Sequence, residues 1–155
     1  MLIFQTLFFC VLFLLVKNDY KYKSVELYQL FFLVLLSFSL IPDDYEIITQ
    51  VISGFVVVGI MFMISFLVEI YIVYIKSKFI KVDIDNLTVL GEGDYPLFFI
   101  IGLLFDFKQI IVCLILMGIF FLIYFVFTKE RETPLIPSIA YAIITILLTN
   151  KIGIL

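Results

Sequence analysis

The chain reads as an all-α, polytopic membrane protein of about six transmembrane helices, forming one integral membrane domain over residues 1–155. Three observations predict this. Apolar residues make up 65% of the 155 and the mean hydropathy is +1.26, whereas soluble domains average about 45–50% apolar. The apolar residues fall into six runs separated by polar segments. The runs are continuous rather than alternating, which favours helices over the strands of a membrane barrel.

The first run, 2–16, lacks a basic leading region and a small-residue cleavage site, and more membrane follows it. It is therefore a retained span and not a secretory signal. The others are 25–41, 47–75, 96–105, 110–127 and 136–150. A span needs about 20 residues to cross a core about 30 Å thick. The first and sixth runs are somewhat short and the fourth is shorter still. The third is long enough to tilt or to project past the bilayer.

Placement of charge sets the orientation. Lys17, Lys21 and Lys23 separate runs one and two, Lys76, Lys78 and Lys81 separate three and four, and Lys129 and Arg131 separate five and six. Of the ten basic residues only Lys108 and Lys151 lie on the other side. The positive-inside rule makes the lysine-rich face cytoplasmic and puts both termini outside. Asp43, Asp44, Glu46 and Asp106 share that outer face. The polar stretch 76–94 is cytoplasmic, and its Val82, Ile84, Leu87 and Val89 suit a short interfacial element.

Composition excludes several chemistries. The chain has no histidine, which removes Ser-His triads and most zinc sites. Its two cysteines, Cys10 and Cys113, lie inside apolar runs and read as small buried hydrophobes. They are too few for a disulfide framework or a zinc tetrad. No metal, cofactor or nucleic-acid partner is expected. The partners are the lipid bilayer and a protein substrate, with the oligomeric state left open.

Gly91-Glu92-Gly93-Asp94 opens the fourth run. An acid at the mouth of a membrane segment is costly to place and points to function. Two glycines beside it suit a tight turn and close approach of another chain. Topology selects its partner among the seven aspartates. Asp43, Asp44 and Asp106 are about 30 Å away across the bilayer. Asp83 and Asp85 share the face but lie in a loop. Asp19 remains, just past the end of run one, within Lys17-Asn18-Asp19-Tyr20-Lys21-Tyr22-Lys23. Taken alone it is a solvated charge among lysines. Taken with Asp94 it makes a pair of carboxylates on one face, of which one keeps its proton because close like charges do not both ionise cheaply. Such a pair can hydrolyse a peptide by general acid–base catalysis.

At these residues the chain resembles the type IV prepilin peptidases, and most of all their small archaeal preflagellin peptidase type. These are GxGD-type intramembrane aspartyl proteases. Gly91-Glu92-Gly93-Asp94 fits the GxGD motif. Asp19-Tyr20-Lys21-Tyr22-Lys23-Ser24-Val25 fits the layout after the first span, with Val25 at the family's aliphatic position. Glu26 stands where the family usually has proline, and Pro96 where many members have lysine. Pro134-Leu135-Ile136-Pro137 resembles the paired-proline segment before the last helix.

The resemblance implies that Asp19 and Asp94 are catalytic, that Gly91, Glu92 and Gly93 meet substrate, and that no metal or cofactor takes part. It implies prepilin- or preflagellin-like precursors as substrates, cut at the cytoplasmic membrane boundary to release a short basic leader. Glu92, Asp83 and Asp85 suit attraction of that leader. Glu69, near the cytoplasmic end of run three, is a further intramembrane acid. Tyr71 and Tyr74 suit an interfacial belt, and Gly102 and Gly118 suit close helix packing. The alternatives are a catalytically silent protein of this fold that binds pilin-like helices, and a small transporter component using Glu69 and Asp94.

Overall fold

Six α-helices follow one another in the chain: α1 Leu2–Tyr22, α2 Leu27–Phe38, α3 Ile47–Phe79, α4 Tyr95–Leu104, α5 Phe107–Thr128 and α6 Leu135–Ile152. They come from a computed structural model that describes residues 2–22, 25–41, 46–79, 90–91, 93–128 and 135–152, and these contain no strand. The all-α membrane class is thus observed. By length and composition, stretches of α1, α3 and α5 (Ile3–Tyr22, Ile47–Tyr71 and Phe107–Tyr124) suffice to cross a membrane, while α2, α4 and α6 are shorter apolar helices.

Local chemistry explains where the helices begin and end. Asp106 and Gln109 form a reciprocal capping box at the start of α5: the Gln109 N–H donates to Asp106 Oδ1 at 2.8 Å, and the Asp106 N–H donates to Gln109 Oε1 at 3.2 Å. Pro96 and Pro137 sit in the first turns of α4 and α6, where a missing N–H costs nothing. Glu26 precedes α2 with φ −81° and ψ 128°, the extended conformation that proline itself adopts. The main departure from the apolar runs is at α1, which continues to Tyr22 and holds Asp19 in its last turn rather than in a loop beyond it. Polar residues end the hydropathy signal after Val16, but no glycine or proline interrupts the helix.

Contacts between helices define a single up-and-down arrangement. Asn18 Nδ2 donates to Gln29 Oε1 at 3.1 Å, joining the end of α1 to the start of α2. α3 and α4 run antiparallel: Gly54 lies against Gly102, Phe55 meets Phe99 edge-on with centroids 5.1 Å apart, and Phe62 meets Tyr95 at 6.3 Å. α2 and α4 start at the same end, since Gly93 faces Val25 and Leu30. Gln109 Nε2 donates to Asn150 Oδ1 at 3.1 Å, joining the start of α5 to the end of α6. One end of the bundle therefore gathers the C-termini of α1, α3 and α5 and the N-termini of α2, α4 and α6. Tyr20, Tyr22, Tyr28, Tyr71, Tyr74, Tyr95, Tyr124 and Tyr141, the tyrosines among the described residues, lie toward that end, as in an interfacial belt.

α4 is the hub. It packs on α2, α3, α5 and α6, most extensively on α3. Leu97, Phe98, Ile100, Ile101 and Leu103 are wholly buried. α3 comes so near that a Cβ on Gly102 would stand 2.6 Å from the Gly54 Cα and from the Ser53 carbonyl oxygen. The Gln50 amide, with its NH2 turned toward α4, donates to the carbonyls of Gly102 and Leu103 at 3.1 Å each. It thereby satisfies the last-turn acceptors that a helix leaves unpaired. Two sequence expectations are corrected. A Cβ on Gly118 would meet nothing within 4 Å, so that glycine is not a packing notch. Cys10 is exposed on the outer face of α1, and only Cys113 is buried. An apolar membrane helix leaves one side to lipid, and Cys10 lies on that side.

Candidate active site

Asp19 lies in the last turn of α1 and is only 7% exposed. Its carboxylate accepts a hydrogen bond from the backbone N–H of Ile136. That donor is free because Ile136 lies in the first turn of α6, where N–H groups have no partner within the helix. The start of a helix also favours a negative charge. The other carboxylate oxygen, Oδ2, is buried and has no hydrogen-bond partner among the described residues. A buried acceptor left unmet costs about 1–3 kcal/mol, which a shared proton or a bound water removes.

Asp94 stands directly before α4 and is also 7% exposed. Its backbone is helical, and its side chain turns back instead of capping α4. The Gly91 N–H donates to Asp94 Oδ2 at 2.9 Å, and the Asp94 N–H donates to the Gly91 carbonyl at 3.0 Å. The carboxylate thus closes its own turn. Burial pushes its pKa up from 3.8 to about 6, the Gly91 N–H opposes this, and the charge of Asp19 adds to the rise. Both carboxylates stand at the same end of the bundle, and α2 packs against both α1 and α4.

The tight turn at the glycine motif is present, but its geometry does not demand glycine. Neither Gly91 nor Gly93 takes a left-handed backbone angle. A Cβ on Gly91 would stand 3.5 Å from Asp94 Oδ2, and one on Gly93 3.7 Å from Leu30 Cδ1, both ordinary contacts. The glycines leave bare backbone beside a buried carboxylate oxygen. Glu92, Asp83 and Asp85 fall outside the described residues, as do Asp43, Asp44, Lys23, Ser24 and Pro134. Asp106 lies at the opposite end of the bundle, capping α5. Among the described residues no group of three or more Cys, Asp and Glu side chains is placed to hold a metal ion.

Three features of the site are not evident from the sequence. The Ile136 N–H is one: prolines mark a helix start near 135, but nothing in the string says which carboxylate it meets. The Asn18–Gln29 bond beside Asp19 is the second. The third is an aromatic cluster flanking Asp19, in which Tyr20 hydrogen-bonds Tyr141 and meets Tyr124 at a tilt with centroids 5.6 Å apart.

Burial of Asp94 has a measurable consequence for stability. Its carboxyl holds a proton up to about pH 6 when folded and only to about 3.8 when unfolded. The stabilisation this gives is full below pH 3.8 and is lost as pH rises through 6. Asp94→Asn keeps an oxygen for the Gly91 N–H and cannot ionise. The variant should therefore gain on the wild type by on the order of 3 kcal/mol between pH 4 and pH 8. Unfolding midpoints in one detergent at both pH values check this, and parallel profiles would refute it.

The fold defines a helical membrane protein with its buried acids gathered at one end. The profile of the type IV leader peptidase family matches residues 6–126, a stretch that includes both Asp19 and Asp94, and the chain belongs to that family. It is accordingly a leader peptidase of the prepilin type, a class that processes pilin-type precursors. No curated protein and no solved structure matches the chain.

Proposed function

We propose that the protein is an aspartic endopeptidase of the membrane boundary in which Asp19 and Asp94 form the catalytic pair. It removes short basic leaders from prepilin- or preflagellin-like precursors. The observation that carries this reading is the burial of two carboxylates at one end of the bundle, one in the last turn of α1 and one directly before α4. In the active form the pair holds one proton. The ionised carboxylate takes a proton from water as the water oxygen attacks the scissile carbonyl carbon. The protonated carboxyl donates to the carbonyl oxygen. Collapse of the tetrahedral intermediate breaks the C–N bond: the departing amine takes the proton first removed from water, and one hydroxyl of the intermediate returns its proton to the carboxylate that had protonated the carbonyl oxygen, which restores the pair. The titrations belong to the pair rather than to either residue.

Lys17 and Lys21 lie at the same end as the pair. The positive-inside rule makes that end cytoplasmic, so the protein is multi-pass with its site facing the cytoplasm. Gly91 and Gly93 offer backbone to the substrate beside Asp94, and Glu92 stands between them in the chain. The test is direct. The purified chain in lipid vesicles is mixed with a precursor carrying a basic leader ahead of an apolar helix, and products are weighed by mass spectrometry. Release of the intact leader is the expected result, and an uncut precursor under conditions where the chain is folded overturns the proposal.

A bare backbone at the glycines should matter to cleavage more than to folding. Gly91→Ala and Gly93→Ala each introduce a methyl group at ordinary contact distance. Stability should change by less than about 1 kcal/mol, while kcat/KM for the precursor falls about tenfold or more. Unchanged cleavage in both variants would remove the glycines from the substrate path.

A further inference from the structure

The start of α2 touches the segments that carry both aspartates. On one side Asn18, the residue before Asp19, donates through Nδ2 to Gln29 Oε1 at 3.1 Å. On the other side Gly93, the residue before Asp94, faces the same turn: a Cβ built there would stand 3.7 Å from Leu30 Cδ1 and 4.0 Å from Val25 Cβ. Gln29 and Leu30 are consecutive, and consecutive residues of a helix point about 100° apart. One therefore reaches α1 while the other reaches the segment leading into α4. Their backbones share a single acceptor, since the Glu26 carbonyl takes the N–H of Gln29 at 2.9 Å and that of Leu30 at 3.5 Å.

The Gln29 amide is committed at both ends. Its Nε2 donates to the Tyr28 hydroxyl at 3.3 Å, which leaves Oε1 for Asn18. The Tyr28 hydroxyl in turn hydrogen-bonds the Glu26 side chain. Bonds in such a chain polarise and orient one another. The Ile136 N–H fixes the Asp19 carboxylate against α6. The Asn18–Gln29 bond fixes the helix that carries it against the turn on which Gly93 rests.

We propose that Asn18 and Gln29 are positioning residues that set how far the Asp19 carboxylate stands from that of Asp94, with the first turn of α2 as the spacer. This rests on the proposed catalytic pair and adds the part that aligns it. Neither side chain has to touch the substrate, because both act through Asp19. Two groups that must serve one water and one carbonyl tolerate little displacement, and an error of about 1 Å costs up to about a hundredfold in rate. The bond should therefore show in turnover rather than in affinity for the precursor.

The experiment measures kcat and KM separately in vesicles, and unfolding midpoints in one detergent. The variants are Asn18→Leu, Gln29→Met, the two together, and an exchange that combines Asn18→Gln with Gln29→Asn. Leucine and methionine keep approximate size and remove the donor and the acceptor. Each single variant should lower kcat about tenfold or more with KM within about twofold of wild type. The double variant should be no slower than the slower single one, since both remove the same bond. The exchange keeps a donor, an acceptor and the combined reach, so its kcat should return to within about threefold of wild type. Unchanged kcat in both single variants, a rise in KM in place of the fall in kcat, losses that multiply in the double variant, or an exchange variant that stays slow at a wild-type midpoint would each overturn the spacer and leave the catalytic pair standing. A folded wild type that cuts no precursor defeats the pair as well.

Discussion

Asp19→Asn and Asp94→Asn should each reduce leader cleavage by about a thousandfold or more, with the folded protein still recovered in normal yield. Both substitutions are close to isosteric and keep the hydrogen bonds that hold the side chains. An asparagine at 19 retains an oxygen for the Ile136 N–H, and one at 94 retains an oxygen for the Gly91 N–H. Each variant loses the ability to exchange a proton at one of the two positions where the proposed mechanism needs it. Because the carboxylates act as a unit, the double variant should be little worse than either single one. Rates of product formation in vesicles, with circular dichroism to verify folding, decide the matter. A rate within tenfold of wild type in either variant would break the assignment of the pair.

The second large effect lies at the contact of α3 with α4. Gly102→Ala places a methyl carbon 2.6 Å from the Gly54 Cα and from the Ser53 carbonyl oxygen, and 2.8 Å from the Gly54 nitrogen. These are backbone atoms and do not swing aside, so the two helices must separate. Overpacking of this kind costs about 1–3 kcal/mol and occasionally more. Here the upper end is expected, because separation also stretches the Gln50 hydrogen bonds to Gly102 and Leu103. Movement of α4 carries Asp94 with it, so cleavage should fall even in the fraction that stays folded. Gly118→Ala is the control. Its added methyl meets nothing within 4 Å, and alanine favours a helix over glycine by about 1 kcal/mol. Thermal unfolding should show a clear drop for Gly102→Ala and no drop for Gly118→Ala; equal behaviour would show that the close approach does not limit packing.

Much of this architecture is written in hydropathy. Six apolar runs correspond to six helices, because a backbone in lipid must satisfy its own hydrogen bonds. Ends are less legible. Asp19 reads as a loop charge because Lys17, Asn18 and Lys21 break the apolar pattern, yet nothing in that stretch breaks a helix, and burial against α6 follows from packing rather than composition. Gly102 and Gly118 look alike in the string, and only their neighbours separate them. That Asp19 and Asp94 share one end of the bundle could be inferred from which ends of which spans share a face. The donor on Asp19 could not, since it comes from a residue 117 positions away whose only credential is a free N–H.

α4 has one more consequence. Its ten residues rise about 15 Å, roughly half of a hydrocarbon layer. Seven of them are buried by protein. Lipid acyl chains therefore have little direct purchase on this helix. Thickening or thinning the bilayer tilts the outer helices, which meet lipid along most of their length, but the depth at which Asp94 sits is dictated by its protein sheath. Turnover should accordingly be nearly indifferent to acyl-chain length, so that one enzyme serves membranes of differing thickness.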